Sequence, residues 1–212
     1  MSNGTFDLNA FIQESKEVLV NPKSYFSTMK TSGGLTEPII KAVIYGAVAG
    51  AISFIWSLLH FTIGSGGLFG GVMGIGLFFT YTIGAVIGLV IGAIILLVSS
   101  SICKGSTDFE TNVRVVAAVM VLMPINALLG FTIHINLYLG SIISIGVSIF
   151  YLWLLYNALI ESLKSKPETT KILMYVLAAL IVIFSLVALR RTSQLMNEFN
   201  GSNLREMMEQ QK

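Results

Sequence analysis

Residues 74–102 read GIGLFFTYTIGAVIGLVIGAIILLVSSSI. The stretch carries no charge and exceeds the roughly 20 apolar residues that cross a bilayer as a helix. It lies inside a larger gap, since no Asp, Glu, Lys or Arg occurs between Lys41 and Lys104. Two further gaps run from Arg114 to Glu161 and from Lys171 to Arg190. Hydrocarbon offers the backbone no hydrogen-bond partner, so each gap must be helical. Five spans are predicted, at 39–60, 74–102, 113–133, 137–160 and 172–189. The expected fold class is an all-α membrane protein, a polytopic bundle of five transmembrane helices. An amphipathic N-terminal segment, 1–38, precedes it and a polar tail, 190–212, follows.

The whole composition agrees. Of 212 residues, 54% are hydrophobic and 11% charged, where a soluble domain carries about 25% charged residues. Mean hydropathy is +0.80. These values exclude a soluble enzyme, a nucleic-acid-binding domain and a disordered chain. The net charge of +2 implies no polyanion partner, and the single Cys103 excludes a disulfide framework. The first 38 residues lack an apolar core of signal-peptide type, so the first span is expected to direct insertion. With the N-terminus in the cytoplasm, the inner segments hold Lys16, Lys23, Lys30, Lys41, Lys104, Arg114, Lys164, Lys166 and Lys171. The outer ones hold only Arg190, Arg191, Arg205 and Lys212. This bias predicts a cytoplasmic N-terminus and an outside tail. The Arg190–Arg191 pair argues locally the other way, and a fifth segment that dips in and returns would remove that conflict.

Ahead of the first span, Leu8, Phe11, Ile12, Val18 and Leu19 fall near one helix face. Asn21-Pro22 reads as a stop and a new start, because Asn caps and Pro suits the first helical position. Tyr25, Phe26 and Met29 follow beside Lys23 and Lys30, a mixture suited to a helix lying among lipid headgroups. The alternative is a short helix packed on the loops of the bundle.

Small residues recur at four-residue spacing within the spans: Gly46 and Gly50; Gly84, Gly88 and Gly92; Gly140, Ser144 and Ser148. Such rows let helix backbones approach closely in lipid. The ridge at Gly84, Gly88 and Gly92 is expected to pack at the bundle centre, with Leu89 turned to lipid. The other reading is oligomerisation along that ridge. Seven glycines crowd residues 64–76; without a following Lys and Ser or Thr they read as a flexible turn, not a phosphate cradle.

No Asp or Glu lies inside a span, which leaves no intramembrane carboxylate dyad or proton relay. Neither an H-E-x-x-H motif nor a Cys/His cluster occurs. Ser65, with His60 and His134 on the same side, could form a nucleophile–base pair, but the G-x-S-x-G elbow is missing. No catalytic residue, cofactor or metal is expected. Pro124 removes a backbone hydrogen bond within the third span; Asn126 is expected to satisfy the freed carbonyl or to bond a neighbouring helix. A small channel or transporter with a path near Pro124 and Asn126 is the alternative function. Asn157 reads as a cap or interhelical bond and Cys103 as a packed small hydrophobe. In the loop at 103–114, Gly105 ends one helix, Thr107 to Glu110 has capping-box form, Phe109 packs between the helices and Arg114 reaches the headgroups. Together with Asn21–Phe26 this loop is a candidate partner surface.

Asn21-Pro22 followed by Phe26, Pro38 before the first span, Gly105 with Phe109, Pro124, and Tyr151-Leu152-Trp153 with Ala158 occur in this order. Over residues 18–190 the pattern resembles the prokaryotic branch of the Yip family, five-span membrane proteins whose eukaryotic members bind Rab GTPases. The resemblance implies a non-enzymatic protein of a prokaryotic cytoplasmic membrane. It would act in membrane organisation or trafficking-like assembly through the bilayer, further copies of itself or other membrane proteins. The longer acidic and aromatic N-terminal signature of the eukaryotic members is missing, so Rab binding does not carry over.

Overall fold

The structure is a computed structural model that describes residues 7–59 and 69–209, with side chains over 7–59 and 74–191. It is all-α, with no strand among the described residues. Two short helices lead: α1 (Leu8–Val20) and α2 (Pro22–Thr28). Then come α3 (Thr36–Leu58), α4 (Phe69–Ile102), α5 (Phe109–Val119), α6 (Leu122–Leu129), α7 (Thr132–Ile135), α8 (Leu137–Glu161) and α9 (Pro167–Glu209). Five segments are long and apolar enough to cross a membrane, the third being the run Phe109–Ile135 made of α5, α6 and α7.

The chemistry of each end sets these boundaries. Asp7 caps α1 by accepting from the Asn9 and Ala10 amides. Asn21 closes α1 with its own amide on the Glu17 carbonyl and opens α2 with its side chain, ahead of Pro22. The third span breaks because of Pro124. Its ring lacks an N–H and crowds the carbonyl four residues back, at Met120. That carbonyl accepts instead from Met123 N, at 2.9 Å, and the helix restarts at Leu122. The expected partner Asn126 is not used, because the nearer backbone amide does the work.

The helix α9 is continuous from Pro167 through Glu209. At about 1.5 Å per residue it is roughly 60 Å long, twice the hydrocarbon thickness. It runs on without turning back, so the paired Arg190 and Arg191 lie within it rather than in a re-entrant loop.

The core lies toward the face that carries α1 and α2. Phe26, Val18, Val115, Val119, Leu154, Leu159 and Leu163 are buried there. The helix α3 packs along α4 and against α6, α2 and α9 both pack on α8, and α4 packs on α3 and α5. On α4, Ala85, Leu89 and Ala93 are buried, and Gly46 and Gly50 of α3 meet α4 at Phe78, Tyr81, Thr82 and Ala85. A Cβ added at Gly46 would stand 2.7 Å from Ala85 Cβ, and one at Gly50 would stand 2.8 Å from the Phe78 carbonyl oxygen. The expected arrangement is therefore turned by one residue. Leu89 is core, not lipid-facing, while a Cβ at Gly84 or Gly88 would meet nothing within 4 Å; of the expected ridge Gly92 alone packs, with Val116 Cγ1 3.0 Å from where its Cβ would stand. The glycines at the crossing come from α3, and α4 presents to them Ala85 and the backbone at Phe78, Tyr81 and Thr82.

Candidate functional site

The face bearing α1 and α2 holds a network of charges drawn from three helices. Arg114, on the first turns of α5, is buried. Its Nη1 donates to Glu37 Oε2 at 3.1 Å, its Nε to Glu110 Oε1 at 3.1 Å and its Nη2 to the Gly34 carbonyl at 2.8 Å. Gly34 returns its own amide to Glu110 Oε1 at 2.7 Å. The linker reaches this position because Gly33 and Gly34 have φ of +131° and +91°, values open to glycine. Lys41, one turn beyond Glu37, is also buried and pairs with Glu37 at 2.8 Å and with Glu14 of α1. The Ser15 and Tyr45 hydroxyls share a hydrogen bond of 2.7 Å, and the Phe11 ring packs on Tyr45 at 5.0 Å. Two cations thus engage three carboxylates, tying α1, the 31–35 linker, α3 and α5 into one unit.

Beside the network lies a cavity of about 190 Å³ lined by Tyr25, Met29, Lys30, Glu37, Lys41 and Arg114. Burial, reinforced by the Glu14 carboxylate, pushes the Tyr25 hydroxyl well above its ordinary range. It stays neutral, as a buried phenol among carboxylates must. The arrangement is a clasp: Lys41 and Arg114 each already have their anions. Among the described residues no group of three or more His, Cys, Asp or Glu is placed to hold a metal ion.

Two turns on the same face brace each other. Ser106 N donates to the Leu163 carbonyl at 2.7 Å, and Lys166 N to the Cys103 carbonyl at 2.9 Å. Each turn carries a lysine in the left-handed region, Lys104 at φ 58° and Lys164 at φ 54°. Lys104 supplies the left-handed residue that ends α4, with Lys104 N on Ser101 O and Gly105 N on Ser100 O. Gly105 serves a different need, close approach: a Cβ there would collide with Ser165 Oγ and lie 2.8 Å from the Leu163 carbonyl oxygen.

The predicted surface residues are mostly absorbed by structure. Asn21 caps, Pro22 and Phe26 are buried under α8, and Gly105 sits inside the braced turns. Phe109 is 40% exposed rather than packed between helices. The α5 cap is Asp108, not Thr107: its Oδ2 accepts from Thr111 N at 2.8 Å and from Thr111 Oγ1 at 2.6 Å. Those bonds hold the Asp108 carboxyl below its usual range. Glu110 is therefore free to turn to Arg114, and Arg114 points into the clasp instead of to headgroups. The sequence signal for this was present in two i,i+4 pairs, Glu37–Lys41 and Glu110–Arg114. What joins the pairs is tertiary. Asn157 bonds the Trp153 carbonyl of its own helix, and Cys103 is fully buried. Ser65, His60 and the first part of the glycine-rich stretch, 64–68, fall outside the described residues, whereas Gly70, Gly71, Gly74 and Gly76, expected in a flexible turn, lie in α4.

Toward the opposite face the helices part. One cavity, about 570 Å³, is lined by Ser53, Trp56, Thr80, Tyr81, Thr132 and His134, among others. A second, about 440 Å³, runs along Gly84, Gly88 and Gly92 between Val116, Val147 and Ile181. Asn126 and Ser144 line both, so the two lie side by side. Trp56 Nε1 donates to the Ala127 carbonyl at 3.0 Å and fixes α6 to α3 beside this junction. Gly140 lets α7 fold back on α8, since a Cβ there would press on the Ile133 backbone.

A family model described as Yip1 domain matches residues 16–189. No curated protein matches the chain, and no solved structure does.

Proposed function

The chain belongs to the Yip1 domain family, and from that premise we propose that it is a non-enzymatic membrane protein that presents α1, α2 and the two braced turns as a cytoplasmic platform for partner proteins. The observation that carries this reading is the clasp. Glu37, Lys41, Glu110 and Arg114 satisfy one another and hold α1 rigidly against the bundle. Meanwhile Leu8, Ile12 and Val20 of α1 and Phe109 of α5 stay exposed on the same face. Rigid presentation of apolar side chains beside lysines, here Lys16 and Lys23, suits protein contacts at a membrane surface. The bias of Lys and Arg puts this face in the cytoplasm and the end of α9 outside.

The test places a photoreactive residue at Ile12 and, separately, at Ile183 on the lipid-facing side of α9. Protein adducts from position 12 and lipid adducts alone from position 183 are expected in native membranes. Absence of any protein adduct at position 12, or a turnover abolished by one polar substitution, would overturn the reading. Solute flux into vesicles that Asn126→Leu removes would instead favour the transport alternative.

A further inference from the structure

We propose that the cavity beside the clasp binds a compact zwitterion, a primary ammonium joined through two carbons to a phosphate diester, as in the ethanolamine phosphate unit. Glu17 and Glu14 take the ammonium, Lys30 takes the phosphate, and the Tyr25 hydroxyl bonds the ligand from the floor. The inference goes beyond the platform reading: it uses the geometry of the clasp and needs no partner protein.

The first support is a buried hydroxyl without a partner. Tyr25 is 7% exposed, and its side chain lines the cavity. Its ring packs edge-on against Phe26, with centroids 5.2 Å apart. Its hydroxyl makes no hydrogen bond among the described residues. Taking a hydroxyl out of water without a partner is unfavourable, and a ligand in the cavity answers it. Burial and the Glu14 carboxylate keep the phenol protonated, so one group both donates and accepts.

The second support is the charge left over. Lys41 and Arg114, on the floor, are each committed to two carboxylates. At the rim, Glu17 and Lys30 are exposed and enter no ion pair among the described residues. Glu14 engages Lys41 through Oε2 alone. A free carboxylate, a free ammonium and one spare carboxylate oxygen thus line the same space. Its charged lining is Glu14, Glu17 and Glu37 against Lys30, Lys41 and Arg114. A lone anion or a lone cation would meet like charges beside its partner, whereas a zwitterion satisfies both signs in one body. Among the described residues no set of three carboxylates converges on a metal position.

The third support is size and place. An engineered cavity of ~150 Å³ takes benzene, so about 190 Å³ suits a head group of that order. The floor, Tyr25, Pro38, Lys41 and Arg114, is buried, and the rim, Glu17, Thr28 and Lys30, is exposed, which gives the cavity a mouth. Lys41 and Arg114 lie within the first two turns of the membrane-spanning segments Thr36–Leu58 and Phe109–Ile135. The floor therefore lies near the level of lipid head groups. The same chemistry comes from two sources, the free head-group diester and phosphatidylethanolamine in the bilayer.

The experiment is calorimetric titration of the full chain in detergent micelles with glycerophosphoethanolamine and, separately, with short-chain phosphatidylethanolamine. Both are expected to bind. Equal affinities assign the site to the free diester, and tighter binding of the phospholipid assigns it to the bilayer. Short-chain phosphatidylcholine, whose nitrogen has no N–H to donate, and phosphatidylglycerol, which has no ammonium, should bind about tenfold or more weakly. Tyr25→Phe, Glu17→Gln and Lys30→Gln should each weaken ethanolamine binding by about tenfold. The two rim variants change exposed side chains, so their folding is not in question. Lys171→Gln, the same charge change on exposed α9, should alter nothing. Without ligand, Tyr25→Phe should melt at or above the wild-type temperature, since it removes a buried hydroxyl that has no partner. Absence of binding by both ethanolamine ligands overturns the proposal. So does binding undiminished in Tyr25→Phe and Glu17→Gln, phosphatidylcholine or phosphatidylglycerol bound as tightly as phosphatidylethanolamine, or an unliganded Tyr25→Phe that melts below wild type.

Discussion

Arg114 Nη1 stands 3.1 Å from Glu37 Oε2 across 77 positions of chain. That ion pair ties the start of the third span to the start of the first, and it lies where α1 must dock. Both residues belong to local i,i+4 pairs that a helix would form unaided. The long-range bond joins two weak surface motifs into one network around a buried arginine.

Arg114→Met should destabilise the folded protein by about 1–3 kcal/mol, because Glu110 and the Gly34 carbonyl lose their partner while the half-exposed Glu37 keeps Lys41. Arg114→Lys should recover less than half, since one ammonium cannot reach three acceptors held in a fork. Unfolding in mixed micelles measures both. A lysine variant as stable as wild type would show that charge alone matters.

Glycine substitutions should separate the two faces of α4. Gly46→Leu drives side-chain atoms into Ala85 and the Tyr81 carbonyl and should cost about 1–3 kcal/mol. Gly88→Leu meets no neighbour and gains helix propensity of up to about 1 kcal/mol. Its melting temperature should equal or exceed that of wild type. The reverse order would mean that α4 is rotated about its axis.

Gly105→Ala should destabilise by about 1–3 kcal/mol by forcing apart the turns at 103–106 and 163–166. Lys104→Gly should be neutral or slightly stabilising, because Lys104 already occupies the left-handed region, at φ 58°. Hydrogen exchange at Ser106 and Lys166, whose amides bridge the turns, reports the difference directly. Fast exchange at both amides is expected in Gly105→Ala alone.

The pH response should carry the Asp108 cap. Its carboxyl is depressed below the ordinary 3.8 by bonds from Thr111, so the folded state favours the charged form. The stabilisation is present above the unfolded-state value and is lost as pH falls through the folded-state value. Melting temperature should decline below about pH 4, and Asp108→Ala should be less stable at neutral pH by about 1 kcal/mol with a shallower acid limb. An unchanged acid limb in Asp108→Ala would assign the decline to other carboxylates. At the alkaline end, Tyr25 is raised by burial, so its contribution is complete below about pH 10 and fades above it.

Impermeant thiol labelling of intact cells should find Lys30→Cys and Lys166→Cys shielded and Arg205→Cys reactive. Cys103 is fully buried and need not be replaced. A shielded position 205 would place both ends of the chain on one side.

The number of spans was legible without coordinates, because charge is excluded from hydrocarbon and its absence marks each crossing. The Asn21-Pro22 boundary was legible too, since capping and the missing proline N–H are local effects. Which side of α4 packs was not. In lipid both faces of a helix are apolar, so hydrophobic periodicity does not separate inside from outside. The glycines at 84, 88 and 92 and the residues Ala85, Leu89 and Ala93 are offset by one position, and only contact with Gly46 and Gly50 decides between them. The clasp has the same origin. Each ion pair is written in its own helix, but a buried arginine takes its acceptors from whatever the fold brings near, and the turn at Gly33 and Gly34 that delivers them is set in three dimensions. Sequence determined how many long apolar spans the chain carries. Tertiary structure decided which small residues touch and which carboxylates meet Arg114, because those depend on helix rotation, which local chemistry leaves free.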